Sequence, residues 1–103
     1  MLNPKMTDLG LDERELIGGW VKKGDQIVAD PILERVEWLI KERLQKLGKD
    51  WSGWFTVYRD PSDGRYWEHF YPQGYMHGGG PAALRNLTEN EVRQKYASLL
   101  ADD

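Results

Sequence analysis

Two runs rich in Trp, Tyr, Phe, Thr and Val, residues 54–59 and 65–71, flank the segment Asp60-Pro61-Ser62-Asp63-Gly64. Pro61 presets φ for a turn, and Gly64 can adopt the left-handed conformation that closes it, so the stretch predicts an antiparallel hairpin. Asp60 and Asp63 sit where turns want short carboxylates to accept backbone amides, which explains them better than a catalytic carboxylate pair does. Pairing Asp60 with Arg65 puts Trp54, Thr56, Tyr58, Trp67, His69 and Tyr71 on one face. Phe55, Val57, Arg59, Tyr66, Glu68 and Phe70 then lie on the other. Arg59 and Glu68 favour the second face as the open one, whereas the first holds the large aromatics, and the alternation alone does not decide between them. Most of the five tryptophans are expected to serve the core, because each buries so much apolar area.

The remaining chain supplies the elements that must pack on this hairpin. Residues 16–21 and 26–29 are apolar or β-favouring around Lys22-Lys23-Gly24-Asp25, which predicts a first hairpin weakened at Gly18-Gly19 unless close packing uses the glycines. Asp30 as a cap and Pro31 at the first helical position announce a helix. Ile32, Leu33, Val36, Leu39, Ile40, Leu44 and Leu47 continue its apolar stripe, and Gly48 is read as its stop. Residues 82–87 suggest a short extended segment. Thr88-Glu89-Asn90-Glu91 forms a capping box for a last helix reaching about Leu100, with Val92, Tyr96, Leu99 and Leu100 on one side. The expectation is a single small α+β domain over residues 13–103 behind a flexible arm at residues 1–12. Two antiparallel hairpins form a sheet packed against a long helix, with a C-terminal helix added.

Composition removes several classes of function. With 14 basic and 17 acidic residues the net charge is −3, which argues against general nucleic-acid binding. The absence of cysteine excludes disulfides, thiol nucleophiles and thiolate metal sites. No apolar run reaches the roughly 18 residues that span a membrane or has the character of a secretion leader, so a cytoplasmic location is expected.

His77-Gly78-Gly79-Gly80 has the backbone-exposing character of an esterase oxyanion loop, but no Gly-x-Ser-x-Gly nucleophile turn accompanies it. A loop offering amides and an imidazole to a partner fits better. His69 and His77 are the only histidines, and with Glu68 they would be the core of any small-enzyme or metal-site alternative, though their spacing matches no known ligand set. No cofactor, metal or catalytic set is therefore expected. The partially exposed aromatics and arginines around the hairpin point instead to a protein-binding surface, with Arg59, Arg65, Tyr66, Tyr75 and His77 as the candidate anchors.

Tyr58-Arg59-Asp60-Pro61, Asp63-Gly64-Arg65-Tyr66-Trp67-Glu68, Tyr71-Pro72 and His77-Gly78-Gly79-Gly80-Pro81 together resemble the signature of the immunity protein 27 family of bacterial polymorphic toxin systems. The likeness extends to Glu15-Leu16-Ile17-Gly18-Gly19-Trp20, to Arg35-Val36-Glu37-Trp38-Leu39-Ile40, and to Leu84-Arg85-Asn86-Leu87-Thr88 with Lys95-Tyr96. The chain departs from it at Phe55, His69, Phe70 and Gly74, where partner-specific variation is expected. The resemblance implies a cytoplasmic protein that binds a cognate toxin domain stoichiometrically and neutralises it. A non-toxin adaptor module is the alternative among binding proteins.

Overall fold

The hairpin turn forms as its residues require and sets the register of the main sheet. In the computed structural model, which describes residues 7–74 and 80–100, the Asp60 amide donates to the Arg65 carbonyl at 2.8 Å, and Gly64 closes the turn at φ 79°. Strands β5 (Thr56–Arg59) and β6 (Tyr66–Phe70) then pair antiparallel, with Tyr58 opposite Trp67 and Val57 opposite Glu68. This is the pairing expected from the sequence.

Ahead of this hairpin lie β1 (Glu15–Ile17), β2 (Trp20–Lys23), β3 (Gln26–Ala29), α1 (Pro31–Trp38) and β4 (Gln45–Lys49). After it come β7 (Ala83–Leu87), α2 (Glu89–Lys95) and the short α3 (Ala97–Leu100). The main sheet has five strands in the order β1-β7-β6-β5-β4, all antiparallel neighbours, while β2 and β3 form a separate two-stranded ribbon. The fold is α+β, as expected. Between β1 and β2 the chain presses against the β7 side of the domain. A side chain on Gly18 would collide with the Ala82 carbonyl oxygen, so close packing is what the glycine serves.

The first helix starts as predicted: Pro31 is its first residue, and Asp30 Oδ1 accepts from the Leu33 amide at 2.7 Å. It ends earlier than the apolar stripe suggests. After Trp38 the backbone widens into a π-helical turn, Leu39–Arg43, in which the Leu44 amide donates to the Leu39 carbonyl at 2.8 Å. Leu44 is then extended, and the chain becomes β4. The open edge of β5 offers this segment a full set of backbone partners, and that pairing outcompetes a continued helix containing Gly48. Gly48 is thus not a helix stop but part of a bulged strand, whose register shifts between Lys46 and Gly48.

The strand conformation splits two residues that a helix would have kept on one face. Leu44 joins the core beneath α1 with Leu33, Val36, Leu39, Tyr58, Trp67 and Leu84, whereas Leu47 packs with Val57, Leu87, Val92 and Tyr96 beneath α2. Each face of the sheet is therefore covered by a helix, and no hairpin face is wholly open. Ile32, expected in the core from its spacing, is 44% exposed, and Ile40 is half-buried. Thr88 forms the expected capping box, its Oγ1 accepting from the Glu91 amide at 3.1 Å while Glu91 accepts from the Thr88 amide at 2.8 Å.

Within the segment expected to be a flexible arm, Thr7, Asp8, Leu11 and Asp12 are exposed, while Leu9 and Gly10 turn inward. Leu9 is buried in the core below α1, and Arg35 donates to the Thr7 and Asp8 carbonyls and to both oxygens of Glu13. The bond from Arg35 holds the Glu13 pKa below its ordinary value, against the opposing effect of burial.

Candidate protein-binding site

Adjacent strand residues point to opposite faces, which separates Glu68 from His69, two of the residues of the small-enzyme or metal-site alternative. Glu68 turns toward α2 and is fully buried, while His69 turns to the face that carries Thr56 and Tyr58. Arg85 Nε donates to Glu68 Oε1 at 2.7 Å; Tyr96 Oη and Lys95 Nζ reach Oε2 at 2.6 and 2.8 Å. Lys95 also lies 3.4 Å above the Phe55 ring and Arg85 4.6 Å above Phe70, two rings stacked on each other. Burial, and then the carboxylate it bonds, push the Tyr96 hydroxyl far above its ordinary pKa, so it remains a donor. Glu68 is thus a tie between β6, β7 and α2, and the face expected to be open is closed by it. Its carboxylate does not converge with His69, and among the described residues no group of three or more His, Cys, Asp or Glu gathers as a metal site.

The exposed aromatic surface lies at the other end of the hairpin. Trp51 is 95% exposed and Trp54 56%, and Tyr71 stands beside them at 36%. Exposure here does not mean a loose loop. Asp50 Oδ1 accepts from the Ser52 amide at 3.1 Å, from the Ser52 hydroxyl at 2.7 Å and from the Gly53 amide at 3.1 Å, while Ser52 Oγ accepts from the Trp54 amide at 3.1 Å. Burial works against ionisation of Asp50, but these bonds outweigh it and hold its pKa below the ordinary value. The backbone closes below the two indoles, the Asp50 amide donating to the Phe55 carbonyl at 3.0 Å.

From this rim a line of ring contacts runs inward. Trp54 meets Tyr71 edge to face at 6.2 Å, Tyr71 meets His69 at 5.3 Å, and His69 meets Tyr58 at 6.3 Å, at the margin of the core under α1. Burial, assisted by the charge of Lys49, lowers the His69 pKa and favours the neutral ring. Two depressions share Ser52, Trp54 and Tyr71 in their walls: one of about 480 Å³ over His69 and Thr56, and one of about 650 Å³ beside Trp51 and Phe55.

The candidate anchors read from the sequence are distributed differently. Arg59 is exposed at the end of β5. Arg65 is engaged inside the protein, paired with Asp63 at 2.7 Å, donating to the Glu13 and Gly10 carbonyls and lying 5.0 Å over Trp67. Tyr66 is half-buried against the core under α2. Tyr75 and His77 lie outside the described residues. Trp51, Trp54 and Tyr71 are not among the anchors read from the sequence, where most of the tryptophans are expected in the core. Of the five, Trp67 is fully buried, Trp38 is half-buried, and Trp20, Trp51 and Trp54 are exposed. The signal was present in Asp50-Trp51-Ser52-Gly53-Trp54: turn chemistry around a tryptophan leaves the ring no strand or helix face on which to be buried.

The sequence model of the family described as immunity protein 27 matches residues 22–88. The chain belongs to this family. The matched segment runs from β2 through β7 and contains both the Trp51 loop and the β5–β6 hairpin, whereas Lys95 and Tyr96, two of the partners of Glu68, lie beyond it. No curated protein and no solved structure matches the chain. As an immunity protein 27 member it presents no helix, among the described residues, long and apolar enough to cross a membrane.

Proposed function

We propose that this immunity protein binds a cognate toxin domain of a bacterial polymorphic toxin system in the cytoplasm and neutralises it stoichiometrically by covering part of its surface. Family membership supplies the class of partner. The observation that carries the mode of action is the pair of exposed indoles, Trp51 and Trp54, held on a loop that Asp50 and Ser52 lock in place. A large aromatic costs free energy in water and gives large contact area at low entropic cost when it docks, which is why tryptophan and tyrosine dominate interface hot spots. A loop ordered before binding reduces the ordering cost of association.

In this reading Trp51, Trp54 and Tyr71 are the central anchors, with Arg59, Tyr75 and His77 as further contacts. Arg65 and Tyr66 act as supports, holding residues 10–13 and the core under α2. The test is calorimetric titration against the toxin domain encoded beside this gene. Trp51→Ala and Trp54→Ala are each expected to weaken binding by about 2 kcal/mol or more, some thirtyfold in Kd, with unfolding midpoints unchanged. Glu37→Ala, on the exposed side of α1, serves as the neutral control. Wild-type affinity in both tryptophan variants rules this surface out.

A further inference from the structure

The bulge in β4 does more than redirect Leu47. Lys46 lies opposite Tyr58 and Lys49 opposite Thr56, and cross-strand partners share a face. Three residues apart in an unbroken strand, the two lysines would project to opposite sides; the extra residue at the bulge returns Lys49 to the side of Lys46. Both therefore line the depression of about 480 Å³ above Thr56, His69 and Tyr71.

The chemistry of that depression differs from the rest of the surface. Its lining contains no Asp or Glu, although the chain as a whole carries net charge −3. Among the described residues Lys46 and Lys49 form no ion pair, as is also true of Arg14, Lys22, Lys23, Lys41 and Arg59, but these two lysines stand together over one depression without a carboxylate in its lining. The ring of His69 and the phenols of Tyr58 and Tyr71 line the same depression, together with Trp54. Two unpaired ammonium groups beside hydrogen-bonding rings, with no competing carboxylate, form a receptor for anionic oxygen.

Resting on the toxin-binding reading above, we infer that the groove between β4 and β6 receives an acidic segment of the partner protein, whose carboxylates meet Lys46 and Lys49 while its apolar neighbours cover Trp54 and Tyr71. A nucleic-acid strand is the competing occupant. The net negative charge of the chain opposes a long polyanion but not a short acidic loop.

The experiment titrates the full chain into the neighbouring toxin domain at low and at high salt. Lys46→Gln/Lys49→Gln is expected to weaken binding by about tenfold at low salt, and Lys46→Glu/Lys49→Glu by about a hundredfold. In both, the salt dependence of wild type should shrink. Circular dichroism melts establish that the variants fold. A charge-reversal scan of acidic positions on the toxin domain should recover affinity for the Glu variant at one or more of them. If the lysine variants bind like wild type while Trp54→Ala is impaired, the acidic-segment inference is wrong and the aromatic platform stands. If the tryptophan variants are also unimpaired, or the wild-type chain ignores the toxin domain, the underlying reading fails and this inference with it. Lysine-dependent binding of a fluorescent single-stranded oligonucleotide would overturn the assignment of a protein occupant.

Discussion

Residues 50–55 and 60–65, the loops at the two ends of β5, close in the same way. In each, the leading aspartate amide donates to the carbonyl five residues on, at 3.0 Å from Asp50 to Phe55 and 2.8 Å from Asp60 to Arg65. In each, the aspartate Oδ1 accepts from the amide and hydroxyl of a serine two residues later, Ser52 or Ser62. A glycine with left-handed φ completes both, Gly53 at 80° and Gly64 at 79°. The loops differ in the place of that glycine, fourth in the first and fifth in the second, and in what stands between aspartate and serine: Trp51 in one, Pro61 in the other. Asp60 is buried, and Arg65 at the end of its loop pairs back onto Asp63. Asp50 is only half-buried, and its loop holds an indole in solvent. Shared turn chemistry orders both backbones, and the residue carried at the second position separates the scaffold turn from the proposed binding loop.

Removing the two aspartates sharpens this difference most. Asp60→Ala leaves a buried turn without its central acceptor and is expected to lower unfolding free energy by about 2 kcal/mol. Asp50→Ala, in the more solvated loop, should cost about 1 kcal/mol in stability, yet weaken toxin binding because Trp51 and Trp54 lose their fixed orientation. Urea unfolding of both variants beside calorimetric titration reads the contrast. Equal stability losses with unaffected binding would show that the second loop is also mere scaffold.

The same contrast explains how far the sequence could be read. Asp60-Pro61-Ser62-Asp63-Gly64 was legible as a turn because each residue has one backbone task, and once Asp60 faces Arg65 the partners of Tyr58 and Val57 follow. The two helix starts were legible for the same local reason, Asp30 with Pro31 and Thr88 with Glu91. The end of the first helix was not, since Leu44 and Leu47 keep helical spacing and only the free edge of β5 turns them into a strand. The burial of Glu68 was equally hidden, because Arg85 and Tyr96 lie 17 and 28 residues away in the chain. Trp51 was overlooked through a prior about residue type, although the turn around it was written in the same residues as the one at Asp60.

A smaller effect tests the floor beneath the binding loop. Burial and then Lys49 depress the His69 pKa below the unfolded value of 6.5. Between the two values the unfolded chain binds the extra proton, so this contribution to stability is full above pH 6.5 and is lost as the pH falls from there through the folded pKa. Urea midpoints measured from about pH 7.5 down to about pH 5 should show this decline, and His69→Gln should flatten it. An unchanged decline in the variant would place the responsible group elsewhere. In the loop at residues 60–65, the Asp63 carboxyl is held below its ordinary pKa and so gives no step in this range.

The last test converts one loop into the other. In Trp51→Pro the binding loop acquires the second residue of the scaffold turn, Asp-Pro-Ser in place of Asp-Trp-Ser. The Trp51 amide makes no hydrogen bond within the described residues, so proline removes no native bond there. The equivalent position already holds Pro61 in a loop with the same aspartate–serine bonds, so the fixed φ is expected to be accepted. Proline restricts the unfolded chain, so stability should hold or rise by about 0.5 kcal/mol. That is the smallest of these effects, and its sign is what matters: a loop that becomes slightly more stable while losing toxin affinity has lost only its anchor. A clear destabilisation would mean that the two loops are alike in hydrogen bonds but not in backbone path. Retained affinity would mean that Trp51 is exposed without being used, leaving Trp54 and Tyr71 to carry the contact.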